Sequence, residues 1–138
     1  MRTALSPALA LALLLAAGCD TARTYKPRSL QTVTVSPDRP GPAVEMEVVT
    51  GLRVILPRPA PGADLIWEIV SNNTKVLPQT SSLRDDPDGP IGTKGTESVS
   101  FYAAHPGRSV VRFVLVRPGD LDAIPTAKCT VTVHVTDD

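Results

Sequence analysis

The chain has 138 residues, with 14 basic and 14 acidic side chains, so its formal net charge at neutral pH is zero. A chain of this length forms one domain with its own core. The balanced charge gives no reason to expect nucleic acid as a partner. The 14 prolines cluster between apolar runs, a distribution typical of the loops of a β-protein and not of a disordered chain.

The N-terminus has the pattern of an export signal. Arg2 precedes an uncharged apolar run over residues 8–17, which is shorter than the roughly 20 residues of a membrane-spanning helix. The run ends in Leu15-Ala16-Ala17-Gly18-Cys19, which resembles the lipobox of bacterial lipoproteins. The resemblance implies that residues 1–18 are a signal peptide and that Cys19 carries a lipid. We therefore expect a membrane-anchored lipoprotein of the bacterial cell envelope, facing the periplasm or the exterior; an ordinary secretory signal is the alternative.

The predicted lipid on Cys19 decides how the rest of the chain must be stabilised. Cys129 is the only other cysteine, so it has no intramolecular disulfide partner, and the domain depends on its core. The segment from Asp20 to about Ser29 is polar and has no periodicity, which predicts a tether. We assign residues 19–40 to the lipidated N-terminus and tether, and residues 41–138 to the globular domain.

Apolar residues alternate with polar ones along several short runs of the mature chain. In chain order, the residues predicted to face inward are Val44, Met46 and Val48; Leu52, Val54 and Leu56; Leu65, Trp67 and Ile69; Val99, Phe101 and Ala103; Val111, Phe113 and Leu115; and Cys129, Val131, Val133 and Val135. Val33 and Val35 indicate a further short strand. Runs with a period of two, separated by Pro/Gly turns, predict an all-β protein folded as an antiparallel β-sandwich.

No pattern in the sequence indicates catalysis. Cys129 and His134 lie five residues apart on one predicted strand, so they point to opposite faces and cannot form a nucleophile–base pair. The acidic segment 85–89 lacks the ligand spacing of an EF-hand, and segment 92–96 lacks the spacing of a P-loop. His105 has no metal-ligating neighbour in the sequence. We therefore expect no enzymatic activity, no metal and no cofactor.

Four features of residues 41–138 together resemble the chagasin-type inhibitors of papain-like cysteine proteases. They are the apolar strand over 51–57, a proline-containing loop that leads into Trp67, a Gly-Thr-Glu sequence at 95–97, and Arg117-Pro118 at the end of a strand. The resemblance implies an immunoglobulin-like β-sandwich. It also implies that three loops at one end occupy the protease cleft as a wedge, without a covalent step or a cofactor.

The resemblance places the protease-binding residues in those three loops. They are Pro61, Gly62, Ala63 and Asp64 in the first loop; Gly92, Lys94, Gly95 and Thr96 in the second; and Arg117, Pro118 and Gly119 in the third. All three loops depart from the family pattern. The first lacks the family's threonines, Lys94 replaces a glycine, and Gly119 stands where the family has tryptophan.

Two hypotheses about function remain open at this point. The first is a monomeric, lipid-anchored, non-covalent inhibitor whose partner is a papain-like cysteine protease. The second is an immunoglobulin-like binding or structural module of the envelope that has lost inhibitory activity. Arg117-Pro118, Gly92 and Gly95 favour the first hypothesis, and the altered loop before Trp67 favours the second.

Overall fold

The computed structural model describes residues 25–59, 62–82, 84–85, 96–120 and 122–137. The strands are β1 (Leu30–Thr34), β2 (Ala43–Glu47), β3 (Gly51–Pro57), β4 (Ile66–Ser71), β5 (Arg84–Asp85), β6 (Thr96–Tyr102), β7 (Gly107–Val116) and β8 (Ala127–Thr136). Over these ranges the secondary structure is entirely strands and turns, which confirms the all-β prediction. Accordingly, none of the described segments forms a helix of the length and apolarity needed to span a membrane.

The strands form two four-stranded sheets packed as a sandwich. One sheet has the order β1-β3-β6-β5, and the other has the order β2-β8-β7-β4. The pairs β3–β6, β5–β6, β4–β7 and β7–β8 are antiparallel, as predicted. The edge pairs β1–β3 and β2–β8 are parallel instead. These two pairs depart from the predicted antiparallel arrangement because β1 and β2 do not form a hairpin. The chain crosses from one sheet to the other between them.

The core lies between the two sheets, and most of it is formed by the inward-facing residues that alternation predicts. Leu52, Val54, Val131 and Val133 have no exposed surface. Of the predicted set, Val48, Leu65 and Ile69 are half-buried and pack against this core. On β2 the buried and exposed residues alternate without exception. The sandwich is therefore stabilised by burial of aliphatic and aromatic side chains.

Several buried residues lie outside the predicted pattern. Val76 and Leu77 are buried although they lie in the connection between β4 and β5. Their backbone N–H groups donate to the carbonyl of Asn73, which forms a tight turn that directs both side chains inward. Ile55, expected to face outward, is also buried, together with its cross-strand partner Ser98. The outer face of this sheet is therefore covered at that position.

The segment before β1 is part of the domain. The ring of Tyr25 packs on the ring of Tyr102, with 4.7 Å between their centroids. The N–H of Arg28 donates to the carbonyl of Val49 at 2.8 Å, and the carbonyl of Ser29 accepts from the N–H of Gly51 at 2.8 Å. Residues 25–34 belong to the range 19–40 that the sequence assigns to the lipidated N-terminus and tether, and they pack on the sandwich from Tyr25 onward.

Candidate functional site

Three connections between strands leave the sandwich at the same end. Three register pairs mark this end: Pro57 with Thr96, Ile66 with Val116, and Ala127 with Leu115. The strands that border residues 58–65, 86–95 and 117–126 all begin or end here, because Asp85, which precedes the second of these segments, pairs with Glu97 next to Thr96. We call this part of the molecule the three-loop end. The resemblance to chagasin-type inhibitors implies such an end.

Trp67 fixes the base of the first loop. Its indole Nε1 donates a hydrogen bond of 2.7 Å to the carbonyl of Pro57, and the ring is 3% exposed. Pro57 ends β3 in one sheet, and Trp67 lies in β4 of the other. The bond therefore joins the two sheets at the point where the loop leaves them. Trp67 belongs to the core, in agreement with its alternation in the sequence.

The first loop presents its backbone to solvent. Gly62, Ala63 and Asp64 are exposed, while Pro61 lies outside the described residues. Gly62 has a φ of 80° and Asp64 a φ of 52°, both in the left-handed region that glycine adopts freely and aspartate tolerates. A Cβ at Gly62 would meet nothing within 4 Å. The chain thus changes direction here and exposes backbone groups to solvent.

The third loop begins with a tight turn. The N–H of Asp120 donates to the carbonyl of Arg117 at 3.1 Å, and Gly119 has a φ of 79°. Pro118 at the second position and a positive φ at the third define a type II turn. All three predicted contact residues, Arg117, Pro118 and Gly119, are exposed. An L-residue at position 119 would be strained, so a tryptophan could not occupy this position without changing the turn.

One exposed residue of the third loop is absent from the sequence-based prediction. Ile124 is 94% exposed. It lies three residues before β8, whereas the resemblance directed attention to position 119. The sequence indicates the exposure of Ile124 only through its position, between Asp122 and Pro125 in a segment without strand periodicity.

Of the second loop, the structure describes the last predicted residue. Thr96 begins β6 and is half-buried. Gly92, Lys94 and Gly95 lie outside the described residues, as does the predicted lipidation site Cys19. Their roles stay predictions.

The described residues do not bring together groups for covalent or metal chemistry. Cys129 is buried and His134 is exposed on the opposite face of β8, as alternation predicts. Burial raises the pKa of the Cys129 thiol to about 11, so the thiolate that would act as a nucleophile is scarce at neutral pH. Among the described residues, no group of three or more His, Cys, Asp or Glu side chains could hold a metal ion.

Comparison by sequence finds no matching family model and no similar curated protein. Comparison by structure does find similar proteins. The crystal structure of the cysteine protease inhibitor EhICP2 from Entamoeba histolytica matches with a TM-score of 0.60 and 13% identity, covering 78% of this chain and 96% of that chain. The solution structure of amebosin matches with a TM-score of 0.53 and 18% identity, covering 80% and 99%.

At these identities the likeness concerns the fold. The immunoglobulin-like sandwich implied by the resemblance to chagasin-type inhibitors is confirmed, and this chain shares it with a cysteine protease inhibitor.

Proposed function

We propose that this protein is a reversible, non-covalent inhibitor of papain-like cysteine proteases. The observation that carries the proposal is the convergence of three connections at one end of the sandwich. EhICP2, a cysteine protease inhibitor, has the same fold. Because fold alone does not determine function, the proposal depends on the geometry of this end.

The first and third loops of the three-loop end are held so that they could occupy a cleft with little loss of conformational freedom. The Trp67–Pro57 hydrogen bond fixes the base of the first loop. A hydrogen bond of 2.9 Å from the N–H of Thr126 to the carbonyl of Leu115 closes the base of the third. Loops held in this way lose less entropy on binding, so more of the contact energy contributes to affinity.

Inhibition by occupation needs no reactive group in the inhibitor. Gly62 and Gly119 have open space where a Cβ would be, so the backbone can approach the walls of a cleft closely. Cys129 is buried, and its thiol stays protonated at neutral pH. We therefore expect the inhibitor to be released intact and the inhibition to be competitive.

We further propose that a lipid on Cys19 anchors the protein to a membrane of the bacterial envelope. Tyr25 packs on Tyr102, at the end of β6 opposite to Thr96. The anchored segment therefore reaches the sandwich at the end opposite to the three loops. The five residues between Cys19 and Tyr25 span roughly 17 Å when extended. In this arrangement the loops point away from the bilayer, toward a soluble protease.

A specific observation favours the alternative, an envelope binding module without inhibitory activity. Gly119 occupies the place of the family's tryptophan and has a φ of 79° that an aromatic residue would not adopt readily. Large aromatic residues commonly contribute much of the energy of an interface. A domain that lost this anchor and gained nothing in its place would keep the fold without the inhibition.

An inhibition assay separates the two functions. A soluble form beginning at Asp20, which retains every described residue, is titrated against a panel of papain-like proteases. Arg117→Ala should weaken inhibition about tenfold, the loss typical of an energetically important contact. Arg112→Ala is the matched control, because Arg112 is equally an exposed arginine but lies within β7, away from the three-loop end. No inhibition at tens of micromolar across the panel would favour the binding module.

The anchoring is tested separately in cells. Cys19→Ser removes the thiol that would accept the lipid, so labelling with a fatty acid should disappear and the precursor should accumulate or be released. Normal processing and labelling of the serine variant would contradict the lipoprotein assignment.

A further inference from the structure

Large apolar side chains are rarely exposed on the described part of this molecule. Those exposed there are Tyr25, Leu30, Val70 and Ile124. Ile124 alone among them lies at the three-loop end, and it is 94% exposed, whereas the others range from 37% to 55%. A single exposed apolar residue needs no explanation on a general surface. At the end of the molecule proposed to contact a protease, it is a candidate contact.

Ile124 is held in position although it is exposed. Pro125 follows it, and a residue before proline is restricted to extended conformations. The next residue, Thr126, is hydrogen-bonded through its N–H to Leu115 at 2.9 Å. The side chain is thus presented on a constrained backbone, which lowers the entropy cost of placing it in a pocket.

We propose that Ile124 is the apolar anchor of the three-loop end and fills an apolar pocket in the cleft of the target protease. The inference rests on the proposed inhibitory function. In this role Ile124 replaces the aromatic residue that the type II turn excludes at Gly119. The charged residues Arg117, Asp120 and Asp122 are exposed in the same loop, so the loop combines polar groups with an apolar residue, as many interface hot spots do.

The surrounding charges also restrict the partner. A pocket lined by carboxylates would be unfavourable for Ile124, because desolvating carboxylates against an isoleucine leaves them without partners. Such a pocket would also be repelled by Asp120 and Asp122, which precede the anchor in the same loop. We therefore expect the target to be a cysteine protease whose cleft has an apolar pocket, and proteases with an acidic pocket to be inhibited weakly.

The test uses the mature protein isolated in detergent and a protease that it inhibits. Ile124→Ala should raise the inhibition constant about thirtyfold, the loss expected when a buried aliphatic anchor is truncated. Ile124→Asp should raise it further, and Ile124→Leu should leave it within about threefold, since the apolar volume is kept. Leu30→Ala and Val70→Ala are matched controls, because they truncate exposed aliphatic residues far from the three loops. Both should leave inhibition unchanged.

Thermal denaturation of the variants separates binding from folding. Because Ile124 is almost fully exposed, none of its substitutions should shift the melting temperature appreciably. Unchanged inhibition by Ile124→Ala, with the wild-type protein inhibiting normally, would overturn the anchor and leave the proposed function standing. Absence of inhibition by the wild-type protein across all proteases would overturn both. A loss of inhibition equal in the Val70→Ala control would also contradict the specific role of Ile124.

Discussion

Trp67 offers the sharpest test of how the core and the three-loop end depend on each other. It is the one tryptophan of the sequence, its ring is buried, and its Nε1 donates to Pro57. Trp67→Ala removes the ring and the donor together and should lower the free energy of unfolding by about 3–5 kcal/mol. Since a domain of this size has a total of about 5–15 kcal/mol, this loss is a large fraction of the stability.

Trp67→Phe separates the hydrogen bond from the bulk of the ring. Phenylalanine retains most of the apolar contact but leaves the carbonyl of Pro57 without its indole donor. The free energy of unfolding should therefore fall by about 1–3 kcal/mol, the cost of a buried polar group that loses its partner. Because Pro57 is at the base of the first loop, Trp67→Phe should also weaken protease inhibition at temperatures where the variant is fully folded.

The measurement is urea denaturation followed by far-ultraviolet circular dichroism, because the variants lack the tryptophan that fluorescence would report. Val70→Ala serves as control, since Val70 lies on the same strand but is half exposed, and it should change the free energy of unfolding by less than about 0.5 kcal/mol. A loss below about 1 kcal/mol for Trp67→Ala would refute the assignment of Trp67 to the core. Equal stability of Trp67→Phe and the wild type would show that the hydrogen bond contributes nothing.

Three further predictions follow from the backbone and from the buried thiol. Gly119→Ala should destabilise the protein by about 1 kcal/mol in urea denaturation, because Gly119 has a φ of 79°; no loss would contradict the type II turn. Val49→Asn should raise the melting temperature, because Val49 has a φ of 67°, which asparagine adopts more readily than a β-branched residue, and a lower value would contradict backbone strain there. Burial raises the pKa of the Cys129 thiol from 9.0 to about 11, so the folded state holds the proton longer than the unfolded state. Relative to Cys129→Val, wild-type stability should be constant below pH 9 and fall as the pH rises toward 11, and the native thiol should resist thiol reagents at pH 8; rapid labelling would show that Cys129 is accessible.

Much of the sandwich could be predicted from the sequence, because a period of two is a local property of a half-buried strand. The alternation of Val131 and Val133 with threonines predicts both β8 and the face that it buries, and the structure agrees. Arg117-Pro118-Gly119 followed by Asp120 likewise carries the sequence of a type II turn. In each case the information lies within a few consecutive residues.

The tertiary structure alone decided the features that depend on which segments meet. The parallel pairing of β1 with β3 and of β2 with β8 follows from the crossover between the sheets, which alternation cannot reveal. Ile55 is buried on the outer face of its sheet. A periodic pattern assigns a residue to one face of a sheet but does not show what covers that face.

The same distinction applies to the candidate site. Its loops are far apart in the chain, and the register of β3 with β6 and of β4 with β7 brings their ends together. The exposure of Ile124 also depends on the path of its loop, since an isoleucine in a sequence is equally compatible with a core. Local patterns thus determined the strands and turns of this protein, and packing between distant segments determined its candidate binding surface, because the energy of burial depends on neighbours that are not adjacent in the chain.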